Sequence, residues 1–193
     1  MFQIPCFIHN FRGYDSRHIV HGFTNFPNRE IKVIGQSTEK YLQIAWGPNL
    51  VYRDSLKHLI CSLERLVESQ LKVGEHKFKH LAHMTERMDG LMNLQEIIRL
   101  LTRKGAFYYD YVKNMEVLNE TSLPPREAFY TQLNRSECSA DDNAHAQNVW
   151  NTFGIRNLKD YLELYFFADV FQLAEVFESY REIIISAYKL DPA

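Results

Sequence analysis

Two short stretches of the chain carry residue types that could handle a phosphodiester. In the first, HNFRGYDSRHI (His9 to Ile19), Asn10, Tyr14 and Asp15 follow directly on the apolar run Cys6-Phe7-Ile8. An Asp just past a strand tip, held by a tight turn, projects a carboxylate over a sheet edge. There a hard cation such as Mg²⁺ can be held by one or two carboxylates together with phosphate oxygens. Asn10 could add an amide hydrogen bond to a nucleotide, and Tyr14 a ring face. In the second, YLELYFFADVFQLAEVFESYR (Tyr161 to Arg181), Tyr165 and Asp169 are four positions apart and would share one face of a helix. A Tyr one turn from a metal-binding Asp could orient the water that attacks a phosphodiester, while metal ions stabilise the entering and leaving oxygens.

Each feature also has a plain structural reading. Asp15 could cap a helix, Asn10 could close a turn, and Tyr14 could pack. A Tyr–Asp pair at i,i+4 is common on amphipathic helices, and Phe166, Val170, Leu173 and Phe177 would give this one a core stripe. His76, His80 and His83 have the i, i+4, i+7 spacing that could bind zinc on a helix. Their surroundings are Lys-rich and weakly apolar with no Cys nearby, which reads as a solvated face. Asp141-Asp142 reads as an acidic pair in a first helical turn, favoured by the macrodipole.

The elements that must position these residues follow from turn signals and periodicity. Cys6 to Ile8 reads as a buried strand, and about Tyr14 to His21 as a helix, a strand–turn–helix order typical of α/β layers. Ile31 to Ile34, Tyr41 to Trp46 and Leu50 to Asp54 are three short strands separated by Gly35-Gln36-Ser37 and Gly47-Pro48-Asn49. Asp54-Ser55 could cap a helix in which Leu56, Leu59, Ile60, Leu63, Leu66 and Val67 recur at helical spacing. Gly74 to Leu101 reads as loop and helix, Lys104 to Pro125 as an irregular wrapping segment. Helices over about Ala140 to Phe153 and Leu158 to Leu190 close the chain, the second stopped by Pro192.

With 193 residues, 46% of them apolar and 24% charged, the chain suits one soluble globular domain or slightly more. A net charge of −2 lacks the basic footprint of a dedicated nucleic-acid binder, so any DNA contact must be local. Cys6, Cys61 and Cys138 are odd in number and widely separated, which argues for reduced thiols in an intracellular setting. No apolar run approaches a membrane span, and MFQIPCFIHN is not a signal peptide.

Taken in order, these stretches resemble the protein-primed family B DNA polymerases of viruses, linear organellar plasmids and self-synthesising mobile elements. HNFRGYD resembles the family's second exonuclease motif and YFFAD (Tyr165 to Asp169) its third. VYRDSLKHL, LTRKGAFYYDYV, ETSLPPREAFY and AHAQNVWNTFG resemble the stretches between. The resemblance spans nearly all of residues 1–193 and implies a ribonuclease-H-like α/β 3′→5′ exonuclease fold, N-terminally truncated, with a helix-rich C-terminal part. It implies that Asp15 and Asp169 are metal-site carboxylates for Mg²⁺ or Mn²⁺, and that Tyr165 positions the water. It also implies that Asn10 and Tyr14, with Ser55, Leu56 and His9, hold the primer 3′ end as single-stranded DNA. A terminal protein primer would be a partner of the full-length enzyme.

The chain departs from the family in ways that matter. An Asp-x-Glu strand, the first exonuclease motif, is expected upstream of Ile8, and the polymerase domain beyond Lys189-Leu190-Asp191-Pro192-Ala193. Tyr108 stands where Pro is expected. The expectation is therefore a catalytically incomplete exonuclease domain, from a truncated gene model or a decaying mobile-element copy. Two alternatives stand beside it: a non-catalytic module that binds single-stranded DNA or a partner protein, and a complete small nuclease in which Glu163 or Asp54 supplies the missing carboxylate.

Overall fold

The computed structural model describes residues 3–12, 15–26, 28–35, 41–81, 93–129 and 137–193. Tyr14 and His83 lie outside them. The described chain is mixed α/β and divides into two units, one of residues 1–66 with 177–193, the other of residues 67–176.

The first unit is built on a four-stranded mixed sheet. Its strands are β1 (Ile4–Ile8), β2 (Ile31–Gly35), β3 (Tyr41–Trp46) and β4 (Leu50–Asp54), in the order β1-β4-β3-β2. β2, β3 and β4 form an antiparallel meander, and β1 joins β4 in parallel with Ile4 opposite Leu50 and Ile8 opposite Asp54. Helix α1 (Asp15–Phe23), followed by β2 and β3, makes up the long connection that a parallel partner strand requires. Phe11, Phe23 and Ile44 are buried together, with Ile8, Ile19, Val20, Ile31, Trp46 and Tyr52 packed around them. The Phe23 ring stacks on Trp46 with centroids 5.0 Å apart. All four strands fall where alternation and turn signals place them.

The stretch after β4 differs from expectation. Instead of one helix from Asp54, a single 3₁₀ turn (Ser55–Lys57) is followed by irregular backbone, and α2 (Leu63–Val73) begins only after Ser62. The Ser62 hydroxyl accepts the Arg65 N–H, and the Cys61 carbonyl accepts a bond from His9. Ile60, assigned by its spacing to a buried stripe, is 84% exposed.

The second unit is helical. Beyond most of α2 it holds α3 (Leu94–Leu101), α4 (Ala140–Thr152) and, up to Val176, α5 (Leu158–Tyr188). α4 ends on Gly154 at φ +59°, where the Gly154 and Ile155 N–H groups return to the Asn151 and Trp150 carbonyls. The Lys104–Pro125 segment is irregular apart from a 3₁₀ helix over Met115–Asn119, and Phe107, Tyr108 and Phe129 pack with Tyr161 into an aromatic core. Buried Glu175 accepts the Lys79 and Leu81 N–H groups at 3.0 and 2.8 Å, and the Gln172 amide donates to the Leu101 carbonyl. The buried face of α5 in this unit therefore runs through Leu158, Tyr161, Gln172, Glu175 and Val176. Phe166 and Val170, expected in the core, are exposed.

His76 lies in a 3₁₀ turn (Glu75–Lys77) that ends at Phe78, whose ψ of 66° is not helical, so His76 and His80 do not share a helical face. Asp141 and Asp142 occupy the first turn of α4, as the macrodipole favours, and both accept from Arg103, at 2.7 and 2.8 Å. Among the described residues, no helix is long and apolar enough to cross a membrane.

Candidate functional site

Because β1 and β4 run parallel in register, the segments that follow them leave the sheet side by side. Ligands of α/β sheets bind in the crevice outside the carboxyl ends of such strands. Here those ends carry His9, Asn10 and Arg12 from β1, and Ser55, Leu56 and Lys57 from β4. Asn10 sits at φ +60°, a left-handed conformation that Asn tolerates better than most residues. His9 bridges the two segments, with Nδ1 3.1 Å from the Ser55 Oγ and Nε2 2.9 Å from the Cys61 carbonyl oxygen. A carbonyl only accepts, so Nε2 carries a hydrogen, and in the neutral ring the Ser55 hydroxyl donates to Nδ1. Ser55 is fully buried, its hydroxyl turned to His9, and Leu56 is half-buried.

Asp54 ties this edge together. It is 1% exposed; Oδ1 accepts the Leu56 N–H at 2.9 Å, and Oδ2 accepts the Arg12 backbone N–H at 3.3 Å with Arg12 Nε 3.6 Å away. Its oxygens serve the fold. Asp15 is the first residue of α1 and exposed.

Tyr165 and Asp169 belong to the second unit, one turn apart on α5. They line a cavity of about 30 Å³, room for one or two water molecules, together with Leu101, Arg103, Gly105, His145 and Gln172. The Tyr109 hydroxyl donates to the Tyr165 hydroxyl at 3.1 Å, and Phe107 packs on the Tyr165 ring with centroids 5.4 Å apart. Burial among these rings raises the Tyr165 pKa far above the ordinary phenol value, and the nearby Asp169 charge adds to it. The phenol is therefore a neutral hydrogen-bonding group, not a base. The Asp169 carboxyl is also raised by desolvation on its cavity side, although the residue is exposed, and the Lys104 cation pulls the other way. His145 is held neutral mainly by burial, with the Arg103 charge adding to it. A neutral phenol beside a carboxylate at a water-sized cavity can orient a water molecule.

Among the contributors that carried no role in the sequence reading are Lys104, Gly105 and Tyr109, all within RKGAFYYDY. Gly105 lets the Tyr165 ring close in, since a Cβ there would lie 3.0 and 3.1 Å from two ring carbons. The composition of the stretch suggested only irregular backbone; nothing local said which ring would meet Tyr165. Glu163 is exposed and pairs with Lys159, 3.8 Å away, which gives it no part in the cavity.

Mg²⁺ demands near-octahedral oxygen ligands. Among the described residues, no three His, Cys, Asp or Glu side chains group to hold an ion. The Asp169 carboxylate has Lys104 for a neighbour. Asp169 with these neighbours does not by itself make up a complete metal site. No family model, no curated protein and no solved structure matches the chain.

Proposed function

We propose that the chain is a portion of the 3′→5′ exonuclease region of a protein-primed family B DNA polymerase, that its ligand is the single-stranded 3′ end of a DNA primer, and that it is catalytically incomplete by itself. The supporting observation is the meeting of HNFR and DSLKH, 46 positions apart at His9 and Ser55, at the carboxyl ends of two parallel strands. A strand-binding edge needs such a convergence, and the parallel pairing of β1 with β4 supplies it. The finer ribonuclease-H-like assignment belongs to this proposal; a parallel strand beside an antiparallel meander is compatible with it. The Tyr165–Asp169 pair at its water-sized cavity supplies the part of the reading that concerns hydrolysis.

Anisotropy of a 5′-fluorescein single-stranded oligonucleotide, with a gel for its degradation in Mg²⁺ or Mn²⁺, tests the proposal. The expected result is weak, sequence-independent binding at low salt, no degradation and no nucleotide incorporation. Absence of binding at low salt overturns it. Metal-dependent degradation lost in Asp169→Ala would instead establish a complete small nuclease. The non-catalytic module is the second reading, favoured by Asp54, whose two oxygens are taken by the Arg12 and Leu56 N–H groups. It predicts binding unchanged in Tyr165→Phe and Asp169→Ala.

A further inference from the structure

We infer that Arg12 and Lys57 are the phosphate-contacting residues of the β1–β4 carboxyl edge, an inference that rests on the single-strand reading above. With a net charge of −2 the chain offers phosphate little general attraction, so the cations that hold a strand must stand at the edge itself. Arg12 follows β1 and Lys57 follows β4, and one buried carboxylate organises both. Asp54 Oδ2 holds the Arg12 main chain and Nε, while Oδ1 caps the turn that carries Lys57. The two partners are unequally placed. The Asp54 side chain is 0% exposed and the Arg12 side chain 35%, so the carboxylate is sealed from solvent while the guanidinium is partly accessible to it. A guanidinium anchored at Nε loses less rotamer freedom when it meets a phosphate, whose oxygens match its fork. Lys57 is exposed and pairs with none of the described acidic side chains. Asp54 offsets part of the Arg12 field, which divides the labour: Lys57 supplies the longer-range attraction and Arg12 the directional bonds.

The test is the salt dependence of binding of a fluorescein-labelled oligothymidylate to the full chain, with a melting curve for each variant. A single-strand phosphate contact contributes about 0.7 to the slope of log affinity against log salt. Lys57→Gln should lower the slope by up to that amount and weaken binding about 8-fold near 50 mM salt and about 3-fold near 200 mM. Arg12→Gln should act in the same direction, and Arg12→Lys, which keeps the charge without the fork, should fall between it and wild type. Lys159→Gln, an exposed control in the second unit, should change neither affinity nor slope. If Arg12→Gln melts early because Asp54 loses its counter-ion, Lys57→Gln carries the test, since no described contact depends on it. Wild-type binding with an unaltered slope and affinity in Lys57→Gln and Arg12→Lys overturns this inference alone. A wild-type chain that binds no oligonucleotide removes the single-strand reading and this inference with it.

Discussion

Asn10 separates a backbone role from a ligand role, because its conformation and its amide can be removed independently. At φ +60° the residue is left-handed. A side chain without a local hydrogen-bonding tip costs about 1–2 kcal/mol in that region, whereas Gly adopts it freely. Asn10→Ala should therefore destabilise the chain by about 1 kcal/mol, lowering the melting temperature by roughly 2–4 °C for a chain of this size. Asn10→Gly keeps the turn, and its gain in backbone ease is offset by the greater entropy of the unfolded chain, so its melting point should stay near wild type. If the amide touches the bound strand, both variants lose one hydrogen bond of about 0.5–1.5 kcal/mol, a roughly 2- to 12-fold weaker affinity. Paired melting curves and anisotropy titrations resolve the four outcomes. The ligand assignment is refuted if Asn10→Gly binds the oligonucleotide as tightly as wild type, whatever Asn10→Ala does. If Asn10→Ala alone binds poorly, Asn10 only shapes the turn that presents its neighbours.

Further tests address the rest of the chain. Gly105→Ala places a methyl group against the Tyr165 ring and should cost about 1–3 kcal/mol as an overpacking change, with shifted Tyr165 ring resonances; unchanged stability and resonances would show that the ring is not held as described. Asp169 has a folded-state pKa above its ordinary value, so its ionised form weakens the fold. Its contribution is fully present below the usual carboxylate range and is lost as pH rises through the raised value. Asp169→Asn should melt higher than wild type at neutral pH, and the difference should close on acidification; a constant difference across pH would reject desolvation as the cause. Lys189 ends α5 at φ +59°, its N–H bonded to the Ile185 carbonyl, so Lys189→Gly should stabilise the chain by up to about 1 kcal/mol. A lower melting temperature would mean that the exposed Nζ contact to the Ser186 carbonyl outweighs the backbone strain.

How far the sequence is legible depends on how local the cause is. The strands and α1 are local: Leu42, Ile44 and Trp46 alternate, Gly47-Pro48-Asn49 turns the chain, and the structure places each element where these signals do. The Leu56–Val67 helix fails because a non-local partner intervenes. A helical repeat of Leu and Ile says nothing of His9, which takes the Cys61 carbonyl from 52 positions away, while Ser62 restarts the helix. The same holds for α5, where periodicity offers Phe166 and Val170 as core but Gln172 and Glu175 are chosen, because buried main-chain groups at Leu101, Lys79 and Leu81 need polar partners more than the interior needs another ring.

Site residues divide in the same way. Residue type is what nominates Asn10, Asp15, Tyr165 and Asp169 as candidates, since few side chains can do the chemistry they suggest. It cannot say that the Ser55 hydroxyl is buried against His9, that Asp54 spends both oxygens on Arg12 and Leu56, or that Gly105 and Tyr109 enclose Tyr165. Asp54 makes the distinction concrete. An Asp at the end of a strand, one residue before a Ser, looks like a metal ligand when only the neighbouring letters are read. Parallel pairing of β4 with β1 sets it beside Arg12, where both oxygens already have donors, and withdrawing them for an ion would orphan the Arg12 and Leu56 N–H groups. The carboxylate is committed to shaping the edge, so whatever binds there is met by the groups it arranges.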